Sequence, residues 1–224
     1  FGSGAYGGNS SAVESELHNI TSLIAVSGGF MALRADGKAM TWGLGESSFA
    51  SDSSSVSDLL AANVTSIFSK APDDYGPAFA HLANGSVVMW NGWDDHPDGI
   101  LPGEPVTSTI KEVYYSSSSW FAFLDTGRFQ CLGVSSDCVD LADALGANVS
   151  AVVDGGGDGG VVVYGDGTAL AIDVSTSGVD ISTDVMTVVT GYLGAYAIIR
   201  SNHTVECFGT ARSGGDCSSV ASDL

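Results

Sequence analysis

Two short apolar patterns recur in fixed order five times along this 224-residue chain, and no other feature constrains its fold as tightly. The first is apolar-x-x-apolar-apolar: Ile20/Leu23/Ile24, Val64/Ile67/Phe68, Ile110/Val113/Tyr114, Val149/Val152/Val153 and Val185/Val188/Val189. The second is a turn dipeptide whose first member stands six residues before a large apolar side chain. It runs Asp36-Gly37 to Trp42, Asn84-Gly85 to Trp90, Thr126-Gly127 to Leu132, Asp166-Gly167 to Ile172 and Asn202-His203 to Phe208. Between the two lies a third apolar run, such as Trp120-Phe121-Ala122-Phe123-Leu124. Each repeat thus predicts a short strand, a turn, a buried strand, a two-residue hairpin turn and a third strand. Both central residues of such a hairpin take positive φ. A polar tail follows with apolar residues four apart, as in Val56 and Leu60 or Val220 and Leu224. That spacing suits either a single helical turn or an irregular outer strand.

The large apolar markers Phe1, Trp42, Trp90, Leu132, Ile172 and Phe208 are 41, 48, 42, 40 and 36 residues apart. Residues 20–224 therefore read as one five-repeat domain, and residues 1–19 as an orphan partial repeat. The unit V-x-x-V-x-x-G-x-x-F-A-L-x-x-D-G-x-V-x-x-W-G resembles the repeat of the regulator of chromosome condensation family. The match is best from Ile20 to Gly43, through Gly28-Gly29-Phe30-Met31-Ala32-Leu33, Asp36-Gly37 and Trp42-Gly43. The step near 41 resembles the short blades of the secreted β-lactamase-inhibitor propeller. The resemblance implies an all-β, β-propeller-like array of five units, with ring closure left undecided.

Charge narrows the partners. Seven basic residues against 26 acidic ones give a formal net charge of −19. That field repels phosphate backbones and anionic membrane surfaces. It also argues against guanine-nucleotide exchange on chromatin, the role of the family's namesake. Cations or basic proteins are the natural counterparts, while the repeat surfaces suit other copies of the chain or other extracellular proteins. The 30 glycines favour tight turns over long helices, and no uncharged apolar run reaches the ~20 residues of a spanning helix.

Six of the seven asparagines open an N-x-S/T sequon: Asn9, Asn19, Asn63, Asn84, Asn148 and Asn202. With 45 Ser and Thr in 224 residues, independent placement gives roughly 1.4. The excess points to N-linked glycans and the secretory pathway. The four cysteines agree. Cys131 and Cys138, like Cys207 and Cys217, share a pattern with Gly two places after the first and Asp before the second. Two local disulfides in an oxidising compartment are expected.

Candidate chemistry is sparse. The four histidines, His18, His81, His96 and His203, sit in no hydrolase or metalloprotease motif, so no catalytic residue and no cofactor is expected. Asp94, Asp95 and Asp98 in one loop, and Asp154 and Asp158 in another, are weak calcium candidates, because clustered carboxylates suit that hard cation. Trp93, in a polar insertion, is the best exposed contact residue. The chain reads as an extracellular structural or adhesive glycoprotein, a subunit of a filament, appendage or surface assembly. The alternative is a soluble secreted binding or inhibitory module, and a propeller-scaffold hydrolase or lyase comes third.

Overall fold

The computed structural model describes residues 3–45, 49–70, 76–91, 98–116, 119–133, 136–154, 159–172, 181–191 and 193–220. It is an all-β array in which each of the five repeats builds one small antiparallel sheet. Repeat 1 contributes β1 (Ile20–Val26), β2 (Gly29–Arg34) and β3 (Ala39–Gly43). Repeat 2 contributes β4 (Val64–Ser69), β5 (Ala78–Leu82), β6 (Val87–Trp90) and a short fourth strand, β7 (Gly99–Ile100). Repeat 3 has β8 (Ile110–Ser116), β9 (Ser119–Leu124) and β10 (Phe129–Cys131), and repeat 4 has β11 (Val149–Asp154), β12 (Gly160–Tyr164) and β13 (Ala169–Ile172). Repeat 5 closes with β14 (Val185–Thr190), β15 (Ala195–Arg200) and β16 (Val205–Gly209). In every sheet the second strand is central, paired on both sides in sequence order. The chain divides into two compact units, residues 1–113 with 132–134, and residues 114–131 with 135–224.

The central strands explain the unbroken apolar runs. A strand covered on both faces gains nothing from polar alternation, so it reads as continuously hydrophobic. In the second unit, Val162 of β12 packs with Tyr114, Phe121, Phe129 and Val149, while its neighbours Val161 and Val163 pack with Val185, Tyr196 and Phe208. One strand thus serves two inter-sheet cores. In the first unit, Met31, Leu33 and Ala39 of repeat 1 meet Ile67, Ala80 and Trp90 of repeat 2 in the same way. Each such side chain adds roughly 1.5–3 kcal/mol by leaving water.

The tails resolve as helical turns. The Val56 tail forms a 3₁₀ turn at Ser54–Val56 and one α-turn, α1 (Ser57–Leu60), and Ser218–Val220 repeats the 3₁₀ turn. In repeat 3 the tail lengthens to α2 (Ser136–Leu145), whose Leu141, Ala142 and Leu145 join the core. The amino-terminal residues behave as another such tail. Trp42 Nε1 donates to Gly7 O at 3.0 Å, just as Trp90 Nε1 donates to Ala50 O at 2.8 Å. Glu16 pairs with Arg34 and Lys38 across the same junction.

The hairpin between second and third strands differs from the two-residue form expected. Gly37 N donates to Arg34 O at 3.0 Å, and Arg34 N to Lys38 O at 2.8 Å, so three residues form the loop. Only the third takes positive φ: Gly37 (84°), Gly85 (87°), Gly127 (72°), Gly167 (85°) and His203 (67°). A turn followed by one left-handed residue leads the strands out with a bulge, and it leaves Asp36, Asn84, Asp166 and Asn202 free to cap. Each accepts the backbone N–H two residues on, at 3.3, 3.0, 3.0 and 3.0 Å.

Candidate functional site

The site with the most repeated chemistry is the rim where a hairpin turn meets the start of the next repeat or, at Gly85, the segment that leads to it. Gly37 O accepts Val64 N at 2.9 Å, Gly85 O accepts Val106 N at 2.7 Å, Gly127 O accepts Val149 N at 3.1 Å and Gly167 O accepts Val185 N at 2.9 Å. Immediately before three of the first strands stand Asn19, Asn63 and Asn148, all left-handed, with φ of 52°, 65° and 68°. Asp184 takes the same place in repeat 5 at φ 57°. Their carbonyls accept the N–H of Ala35, Ala83, Gly165 and Ser201 at 2.8–3.1 Å, which ties the strand start to its own hairpin.

All six sequon asparagines are exposed, and every one occupies a special backbone position. Asn19, Asn63 and Asn148 are left-handed, a region that Asn and Asp enter most readily after Gly. Asn84 and Asn202 cap hairpins, and Asn9 accepts Ser11 N at 3.0 Å in the same manner. The hydroxyl two positions on has work as well. Thr21, Thr65 and Ser150 sit where the first-strand register shifts, and their Oγ atoms donate to the carbonyls of Leu33, His81 and Val163 at 3.2, 3.0 and 3.0 Å. Both halves of these sequons are therefore favoured by the backbone itself. Asn and hydroxyl placement are not independent here, so part of the excess over roughly 1.4 follows from turn geometry. In the capping asparagines the oxygen is the acceptor, which leaves Nδ2, the atom an N-glycan bonds, outside the turn.

In the first unit the rim is concave. One cavity of about 430 Å³ is lined by Thr65, Ser66, His81, Asn84, Thr107 and Thr109. A second, of about 500 Å³, is shared by Asn63 and Asn84 with Asp58, Leu59 and Ala62. His81 is buried, and its Nε2 lies 2.9 Å from Val106 O, holding the segment after β7 against the sheet. That bond commits the ring to structure. His203 serves as a turn residue, and His96 lies outside the described residues.

Cys131 bonds Cys138 and Cys207 bonds Cys217, each with Cα atoms 5.7 Å apart. The first ties the end of β10 to the first turn of α2, and the second ties β16 to the tail beyond it. Asp98 braces its loop, with Oδ1 accepting Asn91 N at 2.8 Å and Oδ2 accepting Ser55 Oγ at 2.5 Å. Asp154 ends β11 opposite Gly160 and borders a cavity of about 30 Å³ otherwise lined by Tyr114, Phe121 and Leu145. Trp93, Asp94, Asp95 and Asp158 lie outside the described residues. Among the described residues no three His, Cys, Asp or Glu side chains gather as metal ligands, and no helix is long and apolar enough to cross a membrane.

The electrostatics the sequence did not reveal lie in the tail. The hydrogen bond from Lys38, and then its charge, hold the Glu16 carboxyl below the usual glutamate range. Arg34 does the same for Asp36, and turn hydrogen bonds from Thr168 and Ser218 lower Asp166 and Asp216. Sequence spacing carries no sign of a pair 22 residues apart such as Lys38 and Glu16.

No protein-family model matches the chain, and no curated protein matches it. Among solved structures, human WBSCR16 is 13% identical with a TM-score of 0.46, covering 87% of this chain and 63% of that one. The ectodomain of the Physcomitrella patens receptor kinase CR4 is 16% identical with a TM-score of 0.41, covering 83% and 49%. Prp20p from Saccharomyces cerevisiae, whose binding to Gsp1p and histones has been described, is 13% identical with a TM-score of 0.42, covering 88% and 58%. The chain thus spans less than two thirds of each of these three proteins.

Proposed function

We propose that this chain is an extracellular structural or adhesive glycoprotein, a protein-binding array that works as a subunit of a larger assembly. The observation that carries the reading is the exposed rim: six sequon asparagines present their side chains to solvent at strand starts, hairpin turns and the amino-terminal tail. Turn geometry accounts for an Asn or Asp at these positions, as Asp184 illustrates, but it does not require a complete sequon at each. The two local disulfides support the same oxidising compartment. Repeat arrays expose extended surfaces suited to macromolecules, and the net charge of −19 favours basic protein partners or cation-bridged copies.

The test is expression in a eukaryotic secretory host, with intact-mass analysis before and after N-glycosidase treatment. Recovery from the medium with a mass loss of several glycans is expected. An unmodified chain retained in the cell refutes the extracellular reading. Cross-linking on the native source then separates a subunit, recovered at high mass, from the second reading of a soluble secreted binding or inhibitory module. That second reading draws its support from the repeat step near 41 residues.

A further inference from the structure

We propose that the glycan on Asn84 folds back onto the protein, with its first sugar seated in the hydroxyl-lined cavity beside His81. This rests on the reading of the chain as an N-glycosylated secretory protein, and it assigns that cavity a ligand.

Backbone pairing brings the two special positions of a repeat, strand start and hairpin cap, to one corner. In repeats 1, 4 and 5, Asn19 O accepts Ala35 N beside Asp36, Asn148 O accepts Gly165 N beside Asp166, and Asp184 O accepts Ser201 N beside Asn202. Each of these corners holds one sequon asparagine and one aspartate. The aspartate serves the backbone equally well but cannot carry an N-glycan. Repeat 2 differs. Asn63 O accepts Ala83 N at 2.8 Å, beside Asn84, and both asparagines open sequons. Both also line the cavity of about 500 Å³. Two branched glycans leaving that corner in one direction collide, so one of them has to turn aside.

The structure offers the second direction. Asn84, and not Asn63, lines the cavity of about 430 Å³ as well, which is formed wholly within the first compact unit. That volume falls among the roughly 300–1,000 Å³ of small-molecule sites. In a chain of net charge −19, the lining contains no Asp, Glu, Lys or Arg. It presents instead the hydroxyls of Thr107, Ser108 and Thr109, which make no hydrogen bond to the described residues. Thr65 Oγ1 donates to His81 O and keeps its lone pairs to accept. His81 Nε2 lies 2.9 Å from Val106 O, which can only accept, so the neutral ring carries its proton there and Nδ1 is an acceptor. Such a set fits a neutral polyhydroxy ligand, whereas a hard cation wants carboxylates and a phosphate wants basic groups. Asn84 Oδ1 accepts Ser86 N at 3.0 Å, which fixes the side chain and leaves Nδ2 for the sugar. Tethering at the mouth raises the local concentration, so even a weak seat fills.

The experiment follows native glycan release from the full disulfide-bonded chain, secreted by a eukaryotic host. N-glycosidase acts on the folded protein in heavy-oxygen water, and peptide mass spectrometry reads each site against time. Asn84 is compared with Asn202, which caps the matching turn. The Asn84 glycan is expected to leave at least about 10-fold more slowly, which one or two net hydrogen bonds supply, and the difference should vanish after denaturation. Thr107→Trp and Thr109→Trp block the seat from exposed positions, with circular dichroism verifying that each keeps the wild-type melting curve. In either variant, release at Asn84 should rise to the Asn202 rate. Equal native release at the two sites overturns the proposal, as does slow Asn84 release that neither blocking variant changes. Glycans at the other sequons with Asn84 bare overturn the seat and leave the glycoprotein reading intact. A chain bare at every site refutes that reading together with the seat.

Discussion

The four hairpin glycines form a graded series that separates backbone conformation from close approach. Gly37, Gly85, Gly127 and Gly167 share one turn and nearly one φ, but the space around each differs. A Cβ on Gly37 would stand 2.9 Å from Asn63 N, and one on Gly85 would stand 2.8 Å from Pro105 Cβ and 2.9 Å from Val106 O. On Gly127 the nearest atom is Val149 O at 3.1 Å, whereas on Gly167 nothing comes nearer than 3.8 Å. Alanine at Gly167 therefore costs only the left-handed penalty, about 1–2 kcal/mol. Alanine at Gly37 or Gly85 adds backbone crowding of about 1–3 kcal/mol, because the neighbour that must move is main chain held by a rim hydrogen bond. Gly127 falls between. Urea unfolding at pH 7 of each Gly→Ala variant, followed by far-ultraviolet circular dichroism, reads the ordering directly. The first-unit variants should lose about 2–5 kcal/mol, against about 1–2 for Gly167→Ala. Equal losses at Gly37 and Gly167, or a loss under about 0.5 kcal/mol at Gly37, would refute the claim that these glycines are there to let the next repeat approach.

Other outcomes follow from single residues. Tyr196 is fully buried and stacked 5.2 Å from Phe208, and its hydroxyl lacks a hydrogen-bond partner among the described residues. Tyr196→Phe should therefore be neutral or stabilising by up to about 1 kcal/mol in thermal melts, and a clear loss would expose a missed partner. Replacing Cys207 and Cys217 by Ser opens a loop with a sequence separation of 10, and should cost about 2–3 kcal/mol while leaving the β-type circular dichroism intact. Glu16 has its folded pKa lowered, so its pairing with Lys38 stabilises above the unfolded glutamate range and is lost as pH falls through the folded value. Glu16→Gln should melt slightly earlier than wild type at pH 7 and converge with it in acid; a constant offset down to pH ~2 would show that the effect is not ionic.

How much was legible varies with the range of the interaction. The strand runs, the hairpin sites and both cysteine pairs were legible because each depends on residues within about ten positions. The turn type was misread because Asp-Gly and Asn-Gly suit both a two-residue loop and a three-residue loop with a bulge. What separates them is whether one or two residues are left-handed, a difference set by strand register. The tail was ambiguous because a spacing of four fits helix and irregular strand alike, until packing of Val56 and Leu60 against the neighbouring sheet selects the helical turn. The sequons were legible as a pattern, but their double use was not. No count of residue types shows that Asn63 is left-handed or that Thr65 bonds the His81 carbonyl.

From its sequence alone, the chain is determined to be a series of five small sheets, because a period near forty with alternating strand and turn signals has few other solutions. Tertiary structure decided which side chains are shared between sheets and which are left open. Leu23 and Ile67 are equivalent in local pattern and opposite in fate, at 59% and 6% exposure. Burial is a property of what stands opposite a residue, and the local pattern of a repeat does not carry it.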